Sequence, residues 1–458
     1  MMDRRKTHIA PLAALLAFVG ALGFFQLAYP YHLMRREQMN LFVWDWDYIR
    51  QTYGGTGWLA RFCCDFLDQF FHLPLAGPVL VALALTAIGI VSYKILRHLT
   101  GPWPALGVAA LVYAWSFLRE TENLFSTRYT LVVLGYLSLV LLALQLRKAW
   151  AKGAAAVLLV AFGCWALGAP AHKYYGKWWG TPSIAYDRMI GLDTEVAREN
   201  WDRVLRLSQK DLHMTEASYC YNLANAMEGH LGAGLFKHSQ NGVNSLFIRI
   251  STDKSPFSNG LAGEVWYQLG DMTLAEQSAI IALQASPKHT GARFLKRLAQ
   301  TSLRTGNAAG ARKHLGLLSG TLFYGKWARE QLKKPLEGGK PLREDFVHYS
   351  TRPRPVLLGL LEENPGNTAA REYLLCTDLM NLDLEHFMED FPKGTLATSV
   401  YEEAVLIQLS LEDKLEEKEL LRYGLDSGAL DRMERFFRDP DRYRSTYWYY
   451  YLEKMNEE

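Results

Sequence analysis

The chain has 458 residues, with 50 Lys and Arg against 47 Asp and Glu and 49% apolar side chains, which is enough for two or three structural units. The even charge total conceals a split: residues 1–174 hold 15 basic and 8 acidic side chains (15 − 8 = +7), and residues 175–458 hold 35 and 39 (35 − 39 = −4). This composition excludes disordered and collagen-like chains, five Cys exclude a disulfide scaffold, and a basic surplus beside apolar runs marks membrane flanks rather than a nucleic-acid surface.

Five apolar runs open the chain, at 9–29, 75–93, 102–118, 129–146 and 154–171. A helix rising about 1.5 Å per residue crosses some 30 Å of hydrocarbon in about 20 residues, so the first two runs fit well and the others are slightly short. Arg4, Arg5 and Lys6 precede the first run, as in a signal peptide. That run is nevertheless longer than a signal peptide's apolar core, and Ala28-Tyr29-Pro30 is a poor cleavage site, so it reads as a retained anchor. Three basic groups alternate with the spans: Arg4, Arg5 and Lys6; Lys94 and Arg97; Arg147, Lys148 and Lys152. They therefore share the cytoplasmic side. The opposite side receives loop 30–74, the 119–128 connection with Glu120 and Glu122, and everything after residue 171.

The first external loop contains Trp44, Asp45, Trp46 and Asp47, then Gly54-Gly55-Thr56-Gly57. Stretch 58–72 is amphipathic. Trp58, Leu59, Phe62, Cys63, Phe66, Leu67, Phe70 and Phe71 share one face, opposite Arg61, Asp65, Asp68 and Gln69. Such a helix should lie in the membrane interface or against the bundle, holding the Asp45/Asp47 pair near the surface. Two carboxylates two residues apart can bind a divalent cation or act as a base near a lipid-borne substrate. They can equally cap a helix or pair with Arg50 or Arg61, while Trp44 and Trp46 anchor at the interface. Residues 9–95 with this acidic pair resemble the GT-C membrane glycosyltransferases. That resemblance implies Asp45 and Asp47 as the catalytic pair, Glu120 and Glu122 as partners, a polyprenyl-phosphate sugar donor, and a divalent cation as the one cofactor to consider.

From residue 177 onward the periodicity is helical throughout, predicting an all-α tail. In 261–289, Gly263, Trp266, Gly270, Ala275, Ala282 and Pro287 resemble the tetratricopeptide pattern: small residues let two antiparallel helices approach, the aromatic fills the gap and Pro ends the second. A weaker unit follows with Ala292, Ala299, Gly306-Asn307 and Ala311, where Ser302 replaces the aromatic. The expected division is a membrane domain at 1–174, a repeat-like domain at 175–334, a linker at 335–355 rich in Pro and Gly, and a second helical block at 356–458. In the last segment Arg442, Arg444, Tyr447 and Trp448 could stack on a sugar or peptide, or the aromatics could pack inward as a terminal cap. Cys220 and Cys376 are either bridged or separate core residues.

No C-x-x-C, Walker, G-x-S-x-G, H-E-x-x-H or Rossmann pattern is present, and no resident metal or cofactor is expected. The external loop (EQMNLFVWDWDYIRQ, then GGTGWL and FLDQFF) together with YNLANAMEGHLGAGLFKHSQNG in the tail resembles an uncharacterised family of bacterial multi-pass membrane proteins with repeat-like tails. The resemblance implies a bacterial inner-membrane address and a periplasmic tail. Two functional expectations follow. One is an anchored scaffold that binds a periplasmic protein, peptide or glycan at the bilayer and binds no nucleic acid. The other is a glycosyltransferase of the GT-C kind.

Overall fold

The structure, a computed structural model, describes residues 9–122, 126–146, 149–168, 181–238, 240–336, 352–392, 398–425 and 427–457. Every regular element among them is helical. In chain order the helices are α1 (Ile9–Gly23), α2 (Tyr31–Gln38), α3 (Trp46–Thr52), α4 (Trp58–Asp68), α5 (Ala76–Arg97), α6 (Pro102–Glu120), α7 (Thr127–Gln145) and α8 (Ala149–Ala166). Next come α9 (Ile184–Ala197), α10 (Trp201–Ser208), α11 (Thr215–Met227), α12 (Leu231–Gly234), α13 (Pro256–Leu269), α14 (Met272–Ala285), α15 (Ala292–Thr305), α16 (Ala308–Ser319) and α17 (Gly325–Leu332). The remainder are α18 (Pro353–Glu363), α19 (Thr368–Met380), α20 (Leu384–Asp390), α21 (Ser399–Leu411), α22 (Glu417–Arg422), α23 (Ser427–Arg438) and α24 (Tyr447–Glu457). They form two compact units. One comprises Met1–Ile190 with Ser286–Gly338, the other Gly191–Ala285 with Gly339–Glu458. The sequence places 286–334 with the repeats, whereas its contacts lie with the N-terminal segment.

Three helical segments of the first unit are long and apolar enough to cross a membrane: Ile9–Ala28, where α1 continues into a π turn over Phe24–Ala28, Ala76–Arg97 and Thr127–Gln145. Helix α6 has comparable length, but Pro102, Trp103 and Pro104 at one end and Arg119 and Glu120 at the other dilute its hydropathy. The apolar part of α8, Gly153–Ala166, is shorter. The end of the fifth expected span, the flanking Arg4, Arg5, Lys6, Arg147 and Lys148, and most of the expected linker lie outside the described residues.

Helix α5 is the centre of this unit, packing on α1, α6 and α7. Its Val81, Ala82 and Leu85 join Ala21, Phe25, Tyr29, Leu33 and Phe71 in a closed core. The outward side chains are also large and apolar: Leu16 is 64% exposed, Leu111 71% and Leu158 70%. Residues 286–338 attach through main-chain bonds, Ala292 N–H donating to Asn40 O (3.0 Å) and Trp44 N–H to Gly320 O (2.8 Å).

In the second unit α13 and α14 form a tight antiparallel hairpin. A Cβ on Gly263 would lie 2.7 Å from Ser278 Cβ, so only glycine permits this approach. Gly270 ends α13 at φ 103°, in the left-handed region that favours glycine, and its N–H returns to Trp266 O. Trp266 stacks on Phe247 with centroids 4.8 Å apart. Helices α10 and α11, and α18 and α19, also pair. Pro353 and Pro355, expected in the linker, instead occupy the first turn of α18, where a missing N–H costs nothing. Cys220 and Cys376 are both buried and free.

Candidate functional site

The acidic pair nominated by the sequence is exposed. Asp45 is the N-cap of α3: its Oδ1 accepts from Asp47 N–H and Tyr48 N–H, each at 3.0 Å. This satisfies donors that the first helical turn leaves free. Asp47 stands in the same first turn, where a carboxylate suits the helix dipole. Trp44 and Trp46 project beside them, 67% and 78% exposed. Asp45→Ala is expected to cost about 1 kcal/mol of stability and Asp45→Asn only a few tenths, read as melting shifts of the full chain in detergent.

The polar chemistry gathers elsewhere in the same unit. Helix α4 is amphipathic as expected over 58–68, with a 3₁₀ turn completing Gln69–His72. However, its acidic side faces the protein interior: Asp65 and Asp68 are 3% and 5% exposed, while Phe62 and Phe66 are only half-buried. Lys288 Nζ donates to both oxygens of Asp65 at 2.7 Å, and Tyr53 OH and Asn40 Nδ2 add bonds at 3.0 and 3.3 Å. The neutralising lysine is 223 residues away in sequence, so no local pattern announces it.

A second group surrounds Arg36 on α2. Its Nη1 donates to Glu120 Oε1 (2.9 Å) and Thr127 Oγ1 (3.1 Å), and its Nη2 to Glu120 O (2.8 Å). Glu120 Oε2 accepts from Thr130 Oγ1 at 2.9 Å. Glu120 is wholly buried, so it is part of this network, while Glu122 lies half-buried just beyond α6. His32 Nε2 lies 2.8 Å from Arg36 Nη2. The same Nε2 lies 3.1 Å from Glu120 O, so a guanidinium that can only donate and a carbonyl that can only accept compete for one ring nitrogen. Burial and the Arg36 charge hold this imidazole well below its ordinary pKa, and hence neutral. Asp187 accepts His32 N–H at 2.7 Å and Tyr31 N–H at 3.4 Å, capping α2 where Pro30 has no side chain to do so. Burial pushes the Asp187 carboxyl up to about 7.

Asp68 links the two groups. Cys64 Sγ donates to its Oδ2 at 3.4 Å, and Oδ1 has no partner among the described residues. Burial pushes Asp68 up to about 7, against the opposing pull of Arg36. A carboxyl raised from 3.8 binds more protons folded than unfolded, so its contribution to stability is fully present below about pH 4 and is lost as pH rises to about 7. Across that window the stability of the wild type is expected to fall relative to Asp68→Asn by up to about 1.4 kcal/mol per pH unit, read as a lowered melting temperature.

Cys64, Asp65 and Asp68 also place one ligand atom each within 4.8 Å of one another, which invites comparison with a metal centre. The donor set fits one poorly. Asp65 is committed to Lys288, and burial raises the Cys64 thiol well above its ordinary value, away from the thiolate that ligates a metal. Beside the network, Asn40, Gln69 and Tyr324 line a cavity of about 10 Å³, room for roughly one water. This is a largely buried network around α2, α4, α6 and α7 in which, among the described residues, Glu120 and Asp65 have cationic partners and Asp68 does not. It can hold protons and fix helices.

The sequence of this chain matches one family along its whole length, over residues 5–175 and 171–454. The chain belongs to a family of unknown function (DUF6057). No curated protein and no solved structure matches it. The two matched segments meet at residues 171–175, where the apolar runs give way to the tail.

The C-terminal residues nominated for binding divide by burial. Tyr447 and Trp448 are core residues, 0% and 4% exposed, with Trp448 Nε1 donating to Glu403 O at 3.0 Å and Tyr447 N–H to Glu403 Oε2 at 2.6 Å. Their rings face Tyr450, Phe236 and Phe436, so neither is presented to a ligand. Arg442 and Arg444 are exposed, the latter paired with Asp441 at 2.6 Å. Sequence inspection missed Arg36, His32, Asp65, Asp68 and Lys288 as one cluster. The readable signal was the pair of aspartates on an otherwise aromatic α4, a side that needs either water or cations.

Proposed function

We propose that the protein is a multi-pass bacterial inner-membrane protein whose extracytoplasmic helix pairs bind a protein, peptide or glycan, an anchored interaction module. The observation that carries the membrane half is the outward apolar surface of α1, α5, α6, α7 and α8. Side chains such as Leu16, Leu111 and Leu158 stand mostly exposed on long helices, a surface that hydrocarbon tolerates and water does not. In this reading α6 and α8 complete five spans, and the odd number exports the tail. Lys94 and Arg97 follow one of the even spans and mark the cytoplasmic side. The hairpin of α13 and α14, with glycine at its closest approach, supports a tetratricopeptide-like stacking of helix pairs, an architecture that presents extended binding surfaces.

The catalytic alternative, a GT-C-like transfer from a polyprenyl-phosphate sugar, gives Asp45 and Asp47 the central role, and the use of Asp45 as a solvent-exposed helix cap argues against it. The test combines topology and function in the full chain. Reporter fusions after residue 148 and at the C-terminus should report opposite sides of the membrane. Same-side reporting would remove the five-span reading. An Asp45→Asn, Asp47→Asn double variant should keep normal abundance and the same in-cell crosslinked partners. If crosslinks and abundance persist while a glycan product disappears, the enzyme reading replaces this one.

A further inference from the structure

Helices α1, α5, α6 and α7 enclose a groove of about 860 Å³. A volume of that order holds a ligand of drug size or larger. Small residues line its floor and leave it open, among them Ala13 and Ala17 of α1 and Gly89 of α5. Its wall is fixed: Tyr113 of α6 donates its hydroxyl to Ala17 O at 2.7 Å, bracing α6 against α1. The Thr86 hydroxyl, also at the groove, is buried and has no partner among the described residues.

The charge is all at one end. Lys94 and Arg97 lie three residues apart in the last turn of α5, on one face, and both border the groove. Both are exposed, and no carboxylate pairs with either among the described residues. An apolar trough ending in two uncompensated cations matches a molecule with a long hydrocarbon part and a terminal anion. A free phosphate would leave the trough empty. A zwitterionic lipid brings its own cation to Lys94 and Arg97. The helix of a second copy would satisfy the apolar floor but not the charged end.

We infer that this groove is a binding site for one anionic phospholipid, its acyl chains along α1 and α5 and its headgroup phosphate on Lys94 and Arg97. The inference rests on the membrane reading above. Each basic side chain near a membrane surface contributes a roughly fivefold preference for anionic lipid, so two contribute about thirtyfold.

The test uses the full chain purified in detergent and titrated with phosphatidylglycerol or phosphatidylcholine, with bound lipid counted by native mass spectrometry. The wild type should retain one phosphatidylglycerol at least about tenfold better than phosphatidylcholine. The variant Lys94→Gln, Arg97→Gln changes only exposed side chains and should lose that preference with an unchanged melting temperature. Ala13→Phe fills the trough and should reduce retention of both lipids. Equal retention of the two lipids by the wild type would overturn the inference, as would a preference that survives the double glutamine variant or a lipid-free dimer. The two readings fail separately: release of the chain from membranes without detergent defeats the membrane reading, whereas a chain that stays in the bilayer but shows no headgroup preference defeats only this site.

Discussion

Arg36→Ala is expected to lower the stability of the detergent-solubilised protein by about 3–5 kcal/mol, a fall in melting temperature on the order of 10 °C for a unit of this size. The Arg36 side chain is 8% exposed and its partner Glu120 0% exposed. The attraction between them is offset by the cost of taking both out of water, so the pair adds little net stability. Removing one partner is different, because it takes the cation from a buried carboxylate whose other side-chain donor among the described residues is Thr130. Arg36 also contacts His32 Nε2, so the truncation leaves that buried ring nitrogen with Glu120 O as its neighbour among the described residues. The double variant Arg36→Met, Glu120→Leu removes both charges and keeps apolar volume, and is expected to melt above the single variant. Melting curves and steady-state abundance read both outcomes. A single variant within about 1 kcal/mol of wild type would mean that water reaches Glu120.

The second large effect is expected at Trp448. Trp448→Ala removes a buried aromatic side chain packed on Phe436 with centroids 5.6 Å apart, and a hydrogen bond to Glu403 O. Large aromatic truncations in a core cost about 3–5 kcal/mol. Limited proteolysis of the full chain should open α23 and α24 well before the rest of the molecule is cut. Arg442→Ala and Arg444→Ala are surface changes expected within about 0.5 kcal/mol. If Trp448→Ala left proteolysis unchanged but abolished capture of a partner, the ring would be a contact residue and its burial here would be the wrong guide.

Helicity was the most legible property. The glycine spacing in 261–289 corresponds to the hairpin of α13 and α14 because glycine answers a local need at two points, closeness at Gly263 and a left-handed turn at Gly270, whereas Trp266 stacks on Phe247 outside the hairpin. Apolar runs were legible for the same reason, since hydrocarbon thickness acts on consecutive residues. The polar network was not. Arg36 and Glu120 are 84 positions apart, and Arg119 and Glu120 read as ordinary loop charges because nothing nearby in sequence says that α6 extends to them. The acidic side of α4 is a buried one, which the pattern does not say, because amphipathicity reports which sides differ and not which side is inside. Asp45 and Asp47 stood out for their aromatic setting, yet the first of them has a local explanation as the cap of a seven-residue helix.

The division of the chain into units also sets a timetable for its synthesis. The first unit is not contiguous: it breaks off at Ile190 and resumes at Ser286, to end at Gly338. A ribosome adding about 5–20 residues per second needs roughly 7–30 s to make the 148 residues between 190 and 338 (338 − 190 = 148). Until then the nascent chain carries Asp65 without Lys288 and the 40–44 segment without the backbone partner that Gly320 provides. Messages or proteolytic products that stop near residue 285 therefore encode every apolar helix and still leave a buried acid without its cation. Such fragments are expected to be degraded faster than the full chain, read as a shorter half-life in a chase experiment.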